Sequence, residues 1–362
     1  MKAVILVGGF GTRLRPLTFS KPKPLVDFCN RPMIMHQIEA LVKVGVDEVI
    51  LAVNYQPEVM LSAMKAVEAE YKVKITFSIE GEPLGTAGPL GLVRDVLEAS
   101  DQPFFVLNSD VICPFPFQKL VDFHRAHGGE GTILTTPVTD PSKYGVVLCQ
   151  PESSEIARFV EKPKNYVGNQ INAGIYILSP SVLKRIHPRP MSIEKDVFPH
   201  MAAAGTLHAV PLEGFWADVG QPADFLTGMA LYLDSIHANV TSANQLDPSV
   251  EIIGPVMIDP SATIAPNCKI GPNVVIGPDA HIQRGVRLSH CVAMRGSVVK
   301  DHACVRNSIV GWYSSVGRWS RLENVTVLGE DVHVADEVYV NGGSVLPHKS
   351  VGANILTPQI VM

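Results

Sequence analysis

Apolar residues follow two rhythms along the chain. In the first, short β-rich runs ("VILV", "EVILAV", "KITFSI", "FFVLNSD", "INAGIYIL") alternate with amphipathic stretches such as Met33 to Val44 and Glu58 to Glu70. That alternation predicts βαβ units and a Rossmann-like sheet, mixed or mostly parallel, with helices on both faces, an α/β domain over residues 1–234. After a polar connector over 235–250 the rhythm changes. Aliphatic residues then recur at every sixth position, as Ile252, Ile258, Ile264, Ile270, Ile276, Ile282, Leu288 and Met294. The phase slips once, and a second series runs Val298, Cys304, Val310, Val316, Leu322, Leu328, Val334, Val340 and Leu346. Glycine or proline commonly follows these positions. A six-residue period with such corners predicts a parallel β-helix of hexapeptide repeats over 251–362, one aliphatic side chain per short strand pointing inward.

Ligands of an open α/β sheet sit at the carboxyl ends of its strands. The first predicted strand ends in "GGFGTRLRPLTFSKPKPL", Gly8 to Leu25. Glycines let backbone N–H groups approach an anion, a following helix start adds its positive end, and Arg13, Arg15, Lys21 and Lys23 offset several phosphate charges. The segment departs from the nucleoside-triphosphate P-loop and from the dinucleotide fingerprint, because Leu14 stands where the latter needs its third glycine. It reads as a polyphosphate cradle.

Other strand ends add to this. "FFVLNSD" ends in Asp110, a hard oxygen ligand or a helix cap for the segment from Pro116, and "GFWADVGQP" offers Asp218. "EPLGTAGPL" places Gly85 and Thr86 in a tight loop suited to a flat base. "FVEKP" supplies Glu161 for hydroxyls and Lys162 for a phosphate, and "NAGIYIL" opens a strand with a small-residue bend.

Composition narrows the chemistry. The 362 residues carry a formal charge of −5, so positive charge is local and nucleic acid or an anionic membrane is not expected as a partner. The start lacks a signal-peptide apolar region, no stretch is long enough to span a membrane, and six scattered cysteines suit buried thiols in the cytosol. The Asn239 and Asn324 sequons then carry no meaning. His124 and His127 stand one helical turn apart without a third metal ligand nearby. No motif supplies an obvious general base. Cations and carboxylates without such a base suit nucleotidyl transfer to a nucleophile that is already an anion.

Gly8 to Leu25 matches without exception the signature GGxGTRLxPLTxxxPKPL, and the chain thereby resembles the sugar-phosphate nucleotidyltransferase family. "VDFCNRP", "FVLNSDVICPFPF", "SIEKDVFP" and "NGGSVLPHKSVG" extend the likeness along the whole chain, toward the branch that guanylylates mannose 1-phosphate. The resemblance implies a left-handed β-helix and Mg²⁺ held by Asp110 and Asp218. It implies that Leu6, Gly8, Gly9, Gly11, Thr12, Arg13 and Lys23 hold the triphosphate of GTP, with Asp110 beside it. Gly85 and Thr86 would face guanine and ribose. Gly145, Glu161, Lys162, Asn172 and Gly174 would line the sugar, with Arg13, Lys23 and Lys162 catalytic. The implied products are GDP-mannose and pyrophosphate. The implied partners are further copies of the chain or a regulatory α subunit.

Two rival readings stay open on the sequence. A regulatory subunit would share the plan but is expected to have eroded catalytic positions. Acyl transfer on the solenoid would need a histidine such as His281, His290, His302 or His333 at a cleft between neighbouring subunits.

Overall fold

The structure, a computed structural model, describes residues 1–54, 57–236 and 246–362. The middle of the connector and the Asn239 sequon lie outside the described residues. The fold comprises two compact units, Met1–Gly9 with Ile34–Trp216, and Phe10–Met33 with Ala217–Met362. The signature loop is thereby divided: Gly8 and Gly9 belong to the first unit and the rest to the second.

The first unit is built on a nine-stranded sheet. Strands β1 (Lys2–Val7), β2 (Glu48–Val53), β3 (Lys74–Ile79) and β4 (Phe104–Asn108) are parallel in the order β4-β1-β2-β3. Helices α1 (Met33–Lys43) and α2 (Pro57–Tyr71) connect the strands from β1 to β3. Every residue of β2 is buried, as expected of a parallel strand covered on both faces. The other half is antiparallel, which makes the sheet mixed. Strand β8 (Gln170–Leu178) runs antiparallel to β4, to β5 (Gly131–Pro137) and to β6 (Gly145–Cys149), and β7 (Ile156–Glu161) forms a hairpin with β6. Only β9 (Leu207–Pro211) restores a parallel pair, with β5. The reason lies in the connections: short turns from 138 to 169 can reverse a chain, whereas a parallel neighbour requires a crossover of a dozen or more residues. Helix α3 (Phe117–His127) carries the chain from β4 toward β5.

In the second unit the solenoid's short strands pair parallel, coil on coil, eighteen residues apart, as in Ile252↔Ile270 and Ile270↔Leu288. Where a corner is one residue shorter the pairing drops to seventeen, as in Ile276↔Ala293, Ala293↔Val310 and Leu328↔Val345. This corrects the expected single slip. Five-residue steps occur at the corners of His290, Asn307 and Gly342, all with positive φ. Ala293, Val299, Val305 and Val345 therefore join the core, while Val298, Cys304 and Leu346 are only half-buried. Asn267, Asn273, Asp279 and Gly285 mark other corners at six-residue intervals, each in the left-handed region that glycine, asparagine and aspartate enter most readily. Each aliphatic side chain withdrawn from water contributes roughly 1.5–3 kcal/mol. Buried hydroxyls hold the later coils. Ser314 and Ser320 accept from the backbone N–H groups of Val332 and Val338 and donate to the carbonyls of Gly329 and Ala335.

Helix α4 (Pro222–Ser235) belongs to this second unit, as does the segment from Phe10. Phe28 packs edge-on against Phe225 and Tyr232 of α4 at 5.3 and 5.9 Å. Asn30 donates to the carbonyl of Ile276, and the buried Trp312 indole N–H donates to Asp27 at 2.5 Å. The solenoid therefore holds the base of the signature loop.

The thiols only partly meet the expectation. Cys29, Cys113, Cys268 and Cys291 are buried, Cys304 is half-buried and Cys149 is exposed, because it ends β6 at the hairpin turn.

Candidate active site

After β1 the chain opens at Gly8 and Gly9, where an added Cβ would meet nothing within 4 Å, leaving room for a ligand against the backbone. Gly9 and Gly11 have φ of 85° and 60°. Gly11 is also packed: its Cβ would lie 3.0 Å from Thr18 Cγ2, and its carbonyl accepts from the Thr18 hydroxyl at 2.8 Å. The expected helix start does not follow. Thr12–Leu14 is a single 3-10 turn and Leu17–Ser20 one helical turn, because Pro16, Pro22 and Pro24 interrupt the segment. The loop's positive charge is consequently that of its side chains.

Those four cations are not equivalent. Arg15 lies 4.7 Å over the Phe19 ring, and Lys21 pairs with Asp27 at 3.0 Å while standing 4.2 Å over Trp312. Both serve the framework. Arg13 is exposed within the 3-10 turn, whereas Lys23 is half-buried because its stem packs toward Gly11. Arg13 and Asp218 both flank Gly220, whose Cβ would come within 3.3 Å of each. The signature guanidinium and one of the two sequence-selected carboxylates therefore sit together in the second unit.

The first unit assembles the rest. Asp110 lies two residues past the end of β4 and does not cap α3, whose first turn has no side-chain cap. Its charge acts on Tyr176, a buried phenol on β8 whose pKa is raised by burial and by Glu194, Glu161 and Asp110. Asn172 donates to the Tyr176 hydroxyl at 2.8 Å and accepts from the Gly174 N–H at 2.9 Å, which fixes the bend of β8. Gly174 must be glycine: φ is 76° and a Cβ would lie 2.7 Å from Asn108 Nδ2. Gly145 stands opposite Glu161 in the β6–β7 register, where a Cβ would meet the Phe159 ring at 2.5 Å and the Glu161 carboxylate at 2.9 Å. Burial, then the charge of Glu194, raises the Glu161 pKa against the pull of Lys162 at 3.5 Å.

Sequence reasoning gave Glu194 no role. Its carboxylate accepts from the hydroxyls of Thr86 and Ser192 at 2.6 and 2.7 Å, and the Thr86 hydroxyl accepts from Ile193 N–H. Thr86 is thus engaged within the protein. Gly85 forms an isolated parallel bridge with Met191, and its Cβ would lie 2.4 Å from the Met191 carbonyl. The motif "SIEKDVFP" contains Glu194, but its spacing from Thr86 carries no signal that they meet.

Among the described residues no three His, Cys, Asp or Glu side chains cluster as a metal site. Asp110 and Asp218 offer carboxylate oxygens, the donor type Mg²⁺ prefers, and Mg²⁺ ordinarily takes only one or two protein carboxylates beside phosphates and water. In donor chemistry the pair fits that ion.

The histidines of α3 are accounted for without metal. Gly129 N–H donates to His127 Nδ1, so the neutral ring carries its proton on Nε2 and donates to Thr132 at 2.7 Å. Thr132 donates to His124 Nδ1 at 2.9 Å, and His124 Nε2 donates to Ser179 at 3.0 Å. His208 stacks on His127 at 4.0 Å. Burial, then the charge of His208, lowers the pKa of both His124 and His127 to about 4. In the solenoid His281 and His333 bond to Thr263 and Ser315, and His302 stacks on Trp319.

A glycine-opened loop after the first strand, strand-end carboxylates and a six-residue solenoid occur together in this chain, and comparison with known proteins supplies its class. The nucleotidyl transferase family profile matches residues 2–235, and the chain belongs to that family. The profile described as the GMPPB C-terminal domain matches residues 252–361. Over 363 residues, all of both chains, it is 60% identical to mannose-1-phosphate guanylyltransferase 1 of Arabidopsis thaliana. Over 364 residues, again all of both, it is 63% identical to mannose-1-phosphate guanyltransferase of Schizosaccharomyces pombe. Among solved structures, a putative glucose-1-phosphate thymidylyltransferase of Bacillus anthracis, crystallised with sucrose, is similar at a TM-score of 0.56 and 26% identity, covering 61% of this chain and 90% of that one. HddC of Yersinia pseudotuberculosis complexed with GMP-PN gives a TM-score of 0.52 at 29% identity, covering 62% of this chain and 96% of that one.

Proposed function

We propose that the chain transfers GMP from GTP to mannose 1-phosphate, giving GDP-mannose and pyrophosphate. The observation that carries this reading is identity of 60% or more, end to end, with relatives named for that activity in a plant and a yeast. A phosphate oxygen of mannose 1-phosphate attacks the α-phosphorus of GTP in line. The new P–O bond forms as the bond to the β-phosphate bridging oxygen breaks, and pyrophosphate leaves with that electron pair. The attacking phosphate is already an anion, so no base is needed.

In this reading Leu6, Gly8, Gly9, Gly11 and Thr12 hold the triphosphate backbone-first, and Arg13 and Lys23 offset the charge that builds on pyrophosphate. Gly85 faces base and ribose, with Thr86 fixing its loop through Glu194. Lys162 holds the sugar phosphate, while Gly145, Glu161, Asn172 and Gly174 shape the sugar wall. Asp110 and Asp218 hold Mg²⁺, which when bound neutralises phosphate charge and orients the reacting groups. Residues 1–234 act as the transferase domain and 251–362 as the solenoid domain. A cytosolic location, supported by four buried free thiols, and assembly with further copies or a regulatory α subunit complete the reading.

Pyrophosphate release by the purified chain with Mg²⁺, each common ribonucleoside triphosphate, and mannose or glucose 1-phosphate tests it. Release that requires both GTP and mannose 1-phosphate is expected. Silence from a folded chain overturns the reading in favour of a regulatory subunit.

A further inference from the structure

One outward face of the solenoid carries a cleft of about 800 Å³ that none of the motifs above occupies. Its construction follows from the register. Lys269, Arg287, Cys304 and Arg321 are successive partners across adjacent coils, and Ser289 and Arg306 pair in the next column on the same face. Adjacent strands lie about 4.8 Å apart, so the short Cys304 leaves a gap of about 10 Å between the backbones of Arg287 and Arg321. Ser289 and Gly271 lower the floor beside it, and the long cations form the rim.

The corner column supplies a wall of different character. A Cβ on Gly285 would lie 2.4 Å from His302 Nδ1, so the imidazole rests on that glycine. The Trp319 indole stacks on His302 at 4.3 Å and 21° and is 64% exposed. An aromatic platform thus stands beside a ring of guanidinium groups.

Charge says what belongs there. Lys269 and Arg321 have partners in Glu251 and Glu323, but Arg287 and Arg306 make no ion pair among the described residues. Like charges gathered on one face repel, and Glu251 and Glu323 offset part of that repulsion. A second copy of this face would bring cations against cations. An anion with a planar ring meets both features at once, phosphates on the guanidiniums and base on the indole.

We propose that this cleft binds a nucleoside phosphate, its phosphates held by Arg287, Arg306 and Arg321 and its base stacked on Trp319. The site is separate from the transfer site and does not depend on that assignment. Its ligand is a free nucleotide or a nucleotide sugar, and the test distinguishes them.

Equilibrium dialysis of the full chain counts bound equivalents of GTP, ATP, GDP-mannose and pyrophosphate, for wild type, R287E/R306E and W319A. All three residues are exposed, so the variants should fold, and the unfolding midpoint checks this; R287Q/R306Q replaces the reversal if it fails to fold. Wild type is expected to bind one more equivalent of at least one nucleotide than R287E/R306E, whether or not the transfer site also binds. W319A weakens that extra equivalent about tenfold, the worth of one base stack, and leaves pyrophosphate unchanged. The nucleotide that supplies the equivalent identifies the source. Equal stoichiometry in wild type and R287E/R306E for every probe overturns the proposal, and so does an extra equivalent indifferent to W319A.

Discussion

The two units hold their side chains by opposite means. In the mixed-sheet unit each arrangement occurs once: Thr86 with Glu194 and Ser192, Asn172 with Tyr176, the hydroxyl chain through His124. In the solenoid unit a few contacts recur coil after coil, and a neighbour of the same kind backs up each of them. Single changes should therefore be felt sharply where a contact is unique and weakly where it repeats. The signature loop tests this, because its chemistry is unique but its base rests on the repeating part.

The largest effect is expected at Arg13. Arg13→Ala should lower turnover at least about a hundredfold, the usual loss on removing one preorganised donor, with the unfolding midpoint unchanged because the side chain is exposed. Normal turnover would overturn the role given to it. Trp312→Ala should cost about 3–5 kcal/mol in denaturant unfolding and lower turnover as well, since it removes a buried indole and the partner of Asp27 and Lys21. Trp312→Phe keeps the ring under Lys21 and should recover most of both. A Trp312→Ala chain with full turnover would separate the loop from its support.

A step smaller, acid should weaken the first unit. His124 and His127 are held neutral with folded pKa values of about 4, below the ordinary 6.5. The unfolded chain thus takes up protons first as pH falls. Stability present above pH 6.5 is lost between about 6.5 and 4, by at most a few kcal/mol for the coupled pair. Urea midpoints across that range should slope in wild type and flatten in His124→Gln; equal slopes would dismiss the cluster. Gly85→Ala should cost about 1–3 kcal/mol, since φ is 74° and Met191 blocks the Cβ. The smallest effect belongs to an outward solenoid position such as Lys300→Ala, within about 0.5 kcal/mol in the same assay.

Legibility in the sequence followed the same division. The solenoid announced itself because each coil repeats one instruction, and even its misread positions, Val298 and Cys304, were off by one residue. Those misses arose from short corners at His290 and Asn307, where a polar residue with positive φ replaces one step of the period without changing composition. The parallel half of the sheet was readable from its buried runs. The antiparallel half was not, because "INAGIYIL" looks alike whichever way its neighbours point. The signature named Arg13 and Lys23, and the structure separates them from Arg15 and Lys21 through contacts with Phe19, Asp27 and Trp312. Glu194 was invisible: its partner Thr86 lies 108 residues away, and no local spacing encodes that meeting.

The bond between Asp27 and Trp312 joins residues 285 positions apart, and that from Asn30 to Ile276 spans 246. During synthesis the loop that bears Arg13 and Lys23 emerges first, yet its supports, Ile276 and Trp312, are made only after the whole mixed-sheet unit. Strands β1 to β4 can pair while translation continues, but the loop waits for about the first half of the solenoid before its base is anchored. A chain terminated after residue 236 would contain every motif residue from Gly8 to Asp218 and still lack those anchors. A stop before Trp312 would thus leave the signature loop without its indole support.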